Sequence, residues 1–211
     1  MAGWLKKKFD SVGVTEYPAG AHLETLQHLF GGGSVVLALD VSGSMAAHDA
    51  GPKRDTQRLV MAVEGCQRFI QEAVEAHYSV GAILWHHDVD AYSHIDQSPS
   101  PALRLLGRAT PSGGTDAVPF LMRAHEMLLK QSAGDLVVAV FGDGDLGSPE
   151  AAKRQAELLV ADNIRIITCG LGDSSAETLA AISTENEPPR TASDDTIADS
   201  IAGMISGLRK R

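Results

Sequence analysis

The chain has 211 residues, a formal net charge of −9, and a composition of 44% hydrophobic and 21% charged residues. This size suits one large globular domain, and the composition is ordinary for a soluble one. Nucleic-acid binding needs clustered Lys and Arg, whereas the only basic runs, at 6–8 and 209–211, stand near the chain ends. We therefore expect no nucleic-acid partner.

Residues 1–33 are predicted to form a separate N-terminal arm, ahead of a single domain over 34–211. Trp4 and Phe9 flank three lysines, so the arm could touch a membrane surface or pack on the domain or a partner. We favour the packed arm, because one short amphipathic turn is a weak membrane signal. No apolar stretch reaches the roughly 18 residues of a membrane helix, so we expect no stable membrane insertion.

From residue 34 onward, strand patterns alternate with helix patterns, which is typical of a parallel sheet covered by helices. Strands are predicted at 34–40, 78–86, 135–142 and 164–170, with an antiparallel edge strand near 90–95. The expected fold class is α/β, with a Rossmann-like, doubly wound, mostly parallel sheet. We expect about six strands, one antiparallel edge, and helices on both faces.

Capping residues predict where the helices begin. The start signals are Asp55, Asp116 ahead of 117–131, Ser148 followed by Pro149, and Ser174 with Glu177. A last helix is predicted from the apolar stripe Ile197, Ile201, Met204 and Leu208. Residues 98–114 are predicted to be a proline-rich connection.

The two cysteines indicate the compartment. Cys66 falls in a helical pattern and Cys169 in a strand pattern, so they do not make a disulfide framework. Both are interpreted as small buried hydrophobic residues in a reducing environment. The first thirty residues also lack the apolar core and cleavage site of a secretory signal. We expect a cytoplasmic protein, and its oligomeric state stays open.

Three polar clusters lie at the ends of strands or just before a helix, where ligands bind to sheets of this class. They are Asp40 with Ser42 and Ser44, then 113–116, then 143–145. The alternate spacing in the first cluster lets a nearly extended loop aim three side chains at one point. Two carboxylates and three hydroxyls converging there would form an all-oxygen site for a hard divalent cation.

The order of these clusters resembles that of the von Willebrand factor A domain family, over about residues 34–208. The matching elements are D-x-S-x-S after an apolar strand, GGTD before a helix, and DG after another apolar strand. In that family they form a metal-ion-dependent adhesion site. The resemblance implies five metal-binding residues: Asp40, Ser42, Ser44, Thr115 and Asp143.

This resemblance implies an intact site that takes Mg²⁺ or Mn²⁺, with Ca²⁺ less favoured. The hydroxyls bind the metal directly, and the two carboxylates act directly or through water. Gly142 departs from the family pattern, in which Thr or Ser often precedes the aspartate. Where neutral hydroxyls dominate the ligands, much of the ion's charge stays uncompensated, and a carboxylate from another molecule is favoured to complete the site.

The implied function is a metal-dependent protein–protein interaction module, not an enzyme, that binds an Asp or Glu of a partner within a multi-protein complex. Intracellular bacterial members of the family often work in such systems, including stress and tellurium-resistance clusters. The alternative is a haloacid-dehalogenase-like phosphohydrolase with Asp143 as the nucleophile, since VVAVFGDGDLG resembles its D-x-D motif. That alternative leaves Asp40, Ser42 and Ser44 unexplained.

The run HHDVD offers a second possible metal site, since His and carboxylates suit zinc. Its members would be His86, His87, Asp88 and Asp90. Neighbouring strand residues point to opposite faces, so these side chains are not expected to converge. We favour a solvated hairpin near the rim of the main site.

Overall fold

The computed structural model describes residues 32–49, 55–131, 134–171, 175–184 and 190–192. Six strands in these ranges form one sheet with the order β3-β2-β1-β4-β5-β6. The strands are β1 (Gly33–Asp40), β2 (Ser79–Trp85), β3 (Val89–Asp96), β4 (Asp135–Gly142), β5 (Ile164–Leu171) and β6 (Arg190–Ala192). All neighbouring pairs are parallel except β2 with β3. The predicted fold class, with one antiparallel edge, is confirmed.

Helices cover both faces of the sheet. They are α1 (Arg58–Glu75), α2 (Ser100–Leu106), α3 (Ala117–Leu128), α4 (Pro149–Ala161) and α5 (Ser175–Leu179), and a short 3₁₀ turn spans Gly43–Ala46. The buried side chains of α1 and α2 pack with one face of the sheet. Those of α3 and α4 pack with the other. The doubly wound arrangement is therefore confirmed for the described residues.

β1 lies at the centre of the sheet and is buried on both faces, which explains its unbroken apolar run. Val35, Leu37 and Leu39 belong to the core on the α1 side. Val36 and Ala38 belong to the core on the α3 side. A strand between two parallel neighbours and two helix layers has no solvent-facing side, so alternation of polar and apolar residues disappears.

Two of the predicted helix starts are confirmed. Asp116 precedes α3, and its carboxylate accepts a 3.0 Å hydrogen bond from the Val118 N–H. This helix ends at Leu128, earlier than predicted. Ser148 precedes α4 and Pro149 is its first residue, although the Ser148 side chain makes no capping hydrogen bond.

Two other local predictions are wrong. α1 begins at Arg58 and is preceded by Gln57, so Asp55 does not cap it. The stretch 98–114 contains α2, with Pro101 in its first turn, where a helix tolerates proline because the first N–H groups have no partner. Its buried residues, Ala102 and Leu106, are one turn apart and face the core.

Several predictions fall outside the described residues. These are the arm over 1–33 except its last two residues, Ser174, and the helix with Ile197, Ile201, Met204 and Leu208. Cys66 and Cys169 are both buried on the α1 side of the sheet, as predicted. Within the described ranges, no helix has the length and hydropathy to cross a bilayer.

Replacing Phe141 by Ala should destabilise the protein by about 3–5 kcal/mol, because it leaves a cavity in a packed core. Phe141 is fully buried in β4 and meets the ring of Phe69 edge-on, at 5.6 Å between centroids. Urea denaturation measures the loss. Leu158→Ala is the control, since Leu158 is 55% exposed on α4 and its truncation should cost less than about 0.5 kcal/mol. Similar losses for both variants would contradict the assigned core.

Candidate metal centre

The parallel pairing of β1 with β4 brings two predicted acidic residues to one edge of the sheet. Leu39 pairs with Phe141, so Asp40 and Asp143 follow at the carboxyl ends of neighbouring strands. A Cβ added to Gly142 would lie 3.1 Å from the Asp40 Oδ2, which is tighter than most such contacts. The absence of a side chain at this position leaves room for the Asp40 carboxylate.

Asp40 is a fully buried carboxylate with one oxygen in use and one without a partner. Its Oδ1 accepts a 2.7 Å hydrogen bond from the Ser42 N–H. Its Oδ2 is buried and has no hydrogen-bond partner among the described residues. Burial raises the pKa of Asp40 to about 7; hydrogen bonds from Ser42 oppose the rise, and the nearby Asp143 carboxylate adds to it. A buried acceptor without a donor is costly, and a cation in that position would remove the cost.

The two serines of the first cluster lie next to each other at the start of the 3₁₀ turn. Their hydroxyl oxygens are 3.0 Å apart. The turn is fixed by a hydrogen bond from the Met45 N–H to the Ser42 carbonyl, and by the fully buried Met45 side chain. Ser42 is almost completely buried, whereas Ser44 is exposed, so the pair reaches from the buried floor to the surface.

Thr115 lies on a loop that is hydrogen-bonded to the end of β1. The Ser112 N–H donates to the Val41 carbonyl at 2.7 Å, and the Gly43 N–H donates to the Gly113 carbonyl at 3.2 Å. Gly113 has a φ of +72°, a conformation that favours glycine. These contacts hold the loop of Thr115 beside the turn of Ser42 and Ser44.

Asp143 contacts an arginine that the sequence did not predict as part of the site. The Arg58 Nη1 lies 3.4 Å from the Asp143 Oδ2, and the same guanidinium forms an ion pair with Asp49. The Asp143 side chain is only 8% exposed, so this contact is shielded from solvent. No local pattern identifies Arg58, because Asp143 is 85 residues away along the chain and Asp49 is nine residues away.

The five residues predicted to bind a metal include only two carboxylates, Asp40 and Asp143. Asp145 lies apart: it is exposed, and its Oδ1 accepts a hydrogen bond from the Gly147 N–H in its own loop. The remaining predicted ligands are hydroxyls. An all-oxygen set of hydroxyls and carboxylates, with one buried carboxylate oxygen still without a donor, fits a hard divalent cation such as Mg²⁺.

The HHDVD run does not build a second site. His86 and His87 stack with ring centroids 4.4 Å apart, and the His86 Nδ1 accepts a hydrogen bond from the Asp88 N–H. Asp90 lies 3.8 Å from the His86 Nε2. Among the described residues, no group of three or more His, Cys, Asp or Glu side chains is placed to hold a metal. The run instead forms the β2–β3 turn beside the main site.

Comparison with known proteins provides a family and a set of similar folds. A family model described as the von Willebrand factor type A domain matches residues 35–145, more than half of the chain. No curated protein matches the sequence. Many solved structures do match it.

Three of these structures illustrate the range of similar proteins. The conserved hypothetical protein BatB from Bacteroides thetaiotaomicron is 22% identical, with a TM-score of 0.68, covering 85% of this chain and 100% of that one. The vWF domain of the type V pili tip protein Mfa5 from Porphyromonas gingivalis is 15% identical, with a TM-score of 0.70, covering 85% and 97%. The manganese-loaded TRAP protein of Plasmodium vivax is 15% identical, with a TM-score of 0.67, covering 85% and 74%. At these identities the likeness concerns the fold.

The metal-free protein should lose stability as the pH rises from 5 to 8. Burial raises the pKa of Asp40 from 3.8 to about 7, so between these values the folded state keeps a proton that the unfolded state has released. Raising the pH therefore favours unfolding, by up to about 3 kcal/mol, since each tenfold change in proton affinity is worth about 1.4 kcal/mol. Urea denaturation in chelator at both pH values measures the difference.

Asp40→Asn should remove this component of the pH dependence, because the amide does not titrate. Asp145→Asn is the matched control, since Asp145 is exposed and its hydrogen bond to Gly147 survives in the amide. Equal pH dependence in wild type and Asp40→Asn would contradict the raised pKa of Asp40.

Proposed function

Because the chain belongs to the von Willebrand factor type A domain family, we propose that it is a metal-dependent protein interaction module. The observation that carries this proposal is the fully buried Asp40, whose Oδ2 has no donor among the described residues and which is followed by two serines with adjacent hydroxyls. A core strand that ends in a buried acid must either keep that acid protonated or place a positive group beside it. A divalent cation, Mg²⁺ or Mn²⁺, would provide one.

The residues of the proposed site have two kinds of role. Ser42, Ser44 and Thr115 would offer neutral hydroxyl oxygens, and Asp40 and Asp143 would offer the negative charge. The bound ion would supply a concentrated positive charge that attracts a carboxylate from outside the protein. The partner is therefore a protein that presents an Asp or Glu side chain.

The surroundings of the site support an external ligand. Ser44 is exposed, and so are Gly113 and Gly114 on the facing loop. The His87 side chain is also exposed beside Gly113. The loops around a rigid sheet edge commonly determine which partner fits. Two of the similar folds come from pilus proteins, including the adhesin SpaC of Lactobacillus rhamnosus GG, which is consistent with an interaction role.

No observation favours the phosphohydrolase alternative. A nucleophilic Asp143 would have to be free to attack, whereas its carboxylate is in contact with Arg58. Asp145 is hydrogen-bonded within its own loop. The cytoplasm remains the proposed compartment, because Cys66 and Cys169 are both buried in the core.

Affinity capture from the native cell tests the proposed function. Partners of the wild-type protein should be lost with chelator, with Asp40→Asn and with the double variant Ser42→Ala, Ser44→Ala. The loss should be about 30-fold to several thousand-fold in affinity, because removing one member of a buried charged contact costs about 2–5 kcal/mol. Asp145→Asn is the control that keeps the partner.

Calorimetric titration with MgCl₂ accompanies the capture. Wild type and Asp145→Asn should bind the ion, and the double serine variant should bind it more weakly. Recovery of the same partners by all variants, with and without chelator, would rule out a metal-dependent interaction.

Arg58 should weaken metal binding while it stabilises the metal-free site. Its guanidinium lies 3.4 Å from the Asp143 Oδ2, so it competes with a divalent cation for the same carboxylate. We expect Arg58→Gln to bind Mg²⁺ at least about threefold more tightly and to melt at a lower temperature in chelator. Calorimetry and thermal denaturation measure the two effects.

Arg58→Lys keeps the positive charge and is the matched control. It should stay close to wild type in both measurements. Weaker Mg²⁺ binding by Arg58→Gln would show that Arg58 positions Asp143 for the metal and does not compete with it.

A further inference from the structure

A groove runs beside the candidate metal centre, between β3 and α3. It has a volume of about 540 Å³. Five consecutive residues, 88–92, line one side, and residues of the first three turns of α3 line the other. We call it the β3–α3 groove. None of the five residues predicted to bind the metal lies in its wall.

Two large apolar side chains stand exposed in this groove. Tyr92 is 40% exposed and Met122 is 50% exposed. Single exposed apolar residues are common, but two in one concave surface indicate a binding site. Tyr, Met and Arg are also the residue types enriched in protein interfaces.

Arg123 packs against the aromatic ring of the groove. Its guanidinium lies 4.9 Å from the centre of the Tyr92 ring. It also donates a 2.8 Å hydrogen bond to Glu126 on the same helix. The Tyr92 ring thus has a cationic packing partner within the groove, a contact that is favourable even at an exposed site.

The rim of the groove is acidic. Asp88 and Asp90 stand at the end nearest the β2–β3 turn, and neither pairs with a lysine or arginine within the described ranges. Asp88 accepts a hydrogen bond from the Val89 N–H, and the nearest basic group to Asp90 is His86, at 3.8 Å. The charge of Arg123 is already balanced by Glu126. The groove therefore favours a cationic group on its ligand.

The groove is continuous with the rim of the metal centre. The Asp116 N–H donates a 2.9 Å hydrogen bond to the His86 carbonyl, which joins the loop of Thr115 to the turn that carries Asp88. Pro119, in the first turn of α3, lines the groove. Met122 lies five residues after Ala117, the first residue of α3, which is a rise of roughly 7.5 Å along the helix at 1.5 Å per residue. An extended peptide that runs along α3 covers this rise with about two to three residues.

Strand addition to the outer edge of β3 is a poorer explanation. The edge carries Asp90 and Asp96, and its pairing with β2 is interrupted by two register shifts. Charged side chains and bulges are devices that discourage pairing at an edge. The open surface beside β3 is better suited to side chains than to a new strand.

We propose that a partner protein docks on a surface made of two parts, the candidate metal centre and the β3–α3 groove. The groove receives an extended segment of that partner. The segment carries an acidic residue for the metal, an apolar residue a few positions away for Tyr92 and Met122, and a Lys or Arg for Asp88 and Asp90. The proposal rests on the metal-dependent function proposed above. It adds the chemistry by which one acidic partner is chosen over another.

A phage library of random twelve-residue peptides, selected on the wild-type protein in MgCl₂, tests the proposal. The enriched peptides should share an acidic residue followed or preceded by an apolar and a basic one. Fluorescence anisotropy of the labelled peptides should show about 5- to 20-fold weaker binding to Met122→Ala and to the double variant Asp88→Asn, Asp90→Asn. Leu158→Ala and Arg104→Ala are controls, because these exposed residues lie outside the groove.

The outcomes separate the two proposals. Peptides that need the metal and Asp40 but bind the groove variants like wild type would overturn the groove and leave the metal-dependent function intact. Peptides that need Met122 but ignore chelator and Asp40→Asn would overturn the metal-dependent function. Failure to enrich any peptide with the acidic, apolar and basic pattern would overturn the groove. So would wild-type dimers that Met122→Ala dissociates in sedimentation, since the occupant would then be a second copy of the chain.

Discussion

Burial of a single carboxylate is the constraint on which the rest of this edge of the sheet depends. Asp40 is the last residue of the central strand and is fully buried between the neighbouring strands and the loops that follow them. One of its oxygens has a donor in the Ser42 N–H, and the other has none among the described residues. The Asp143 carboxylate is close enough to raise the pKa of Asp40, and Gly142 leaves room for the Asp40 side chain.

Two backbone hydrogen bonds fix the position of Val41, the residue just after Asp40. The Val41 N–H donates to the Trp85 carbonyl of β2, and the Val41 carbonyl accepts from the Ser112 N–H, both at 2.7 Å. With residue 41 fixed in this way, the 3₁₀ turn begins at a defined position, and Ser42 and Ser44 point together. The site therefore depends on backbone hydrogen bonds between three separate loops as much as on its own side chains.

The sequence predicts the central part of this structure well because its signals are local. The apolar run before Asp40 predicts a strand buried on both faces, and the alternate spacing after it predicts the polar cluster. The cap at Asp116 depends on one side chain and the N–H two residues later, and it is confirmed. Local signals also give two wrong predictions. Asp55 is predicted to cap α1, but the helix begins three residues further on. The prolines of 98–114 predict a connection, but this stretch contains a short helix.

Other features could not be read from the sequence, because they depend on contacts between distant segments. Arg58 meets Asp143 only once β4 lies beside β1, and its contact with Asp49 is made to the segment that follows the 3₁₀ turn. The groove requires a strand residue, Tyr92, and a helix residue, Met122, to be brought together by the packing of α3. β6, with three residues, is too short for its pattern to stand out from a connection.

The pairing of β1 also has a consequence for how the chain folds. The central strand meets β2 after an intervening helix, but its other neighbour, β4, lies roughly one hundred residues further along, with Val35 opposite Val137. During synthesis, the apolar strand β1 therefore keeps one edge unpaired until β4, and with it most of the chain, has left the ribosome. Closing so long a loop is slow and entropically costly. Folding intermediates with an open β1 edge are therefore the species most exposed to aggregation, and a chaperone that covers such edges would act at this stage.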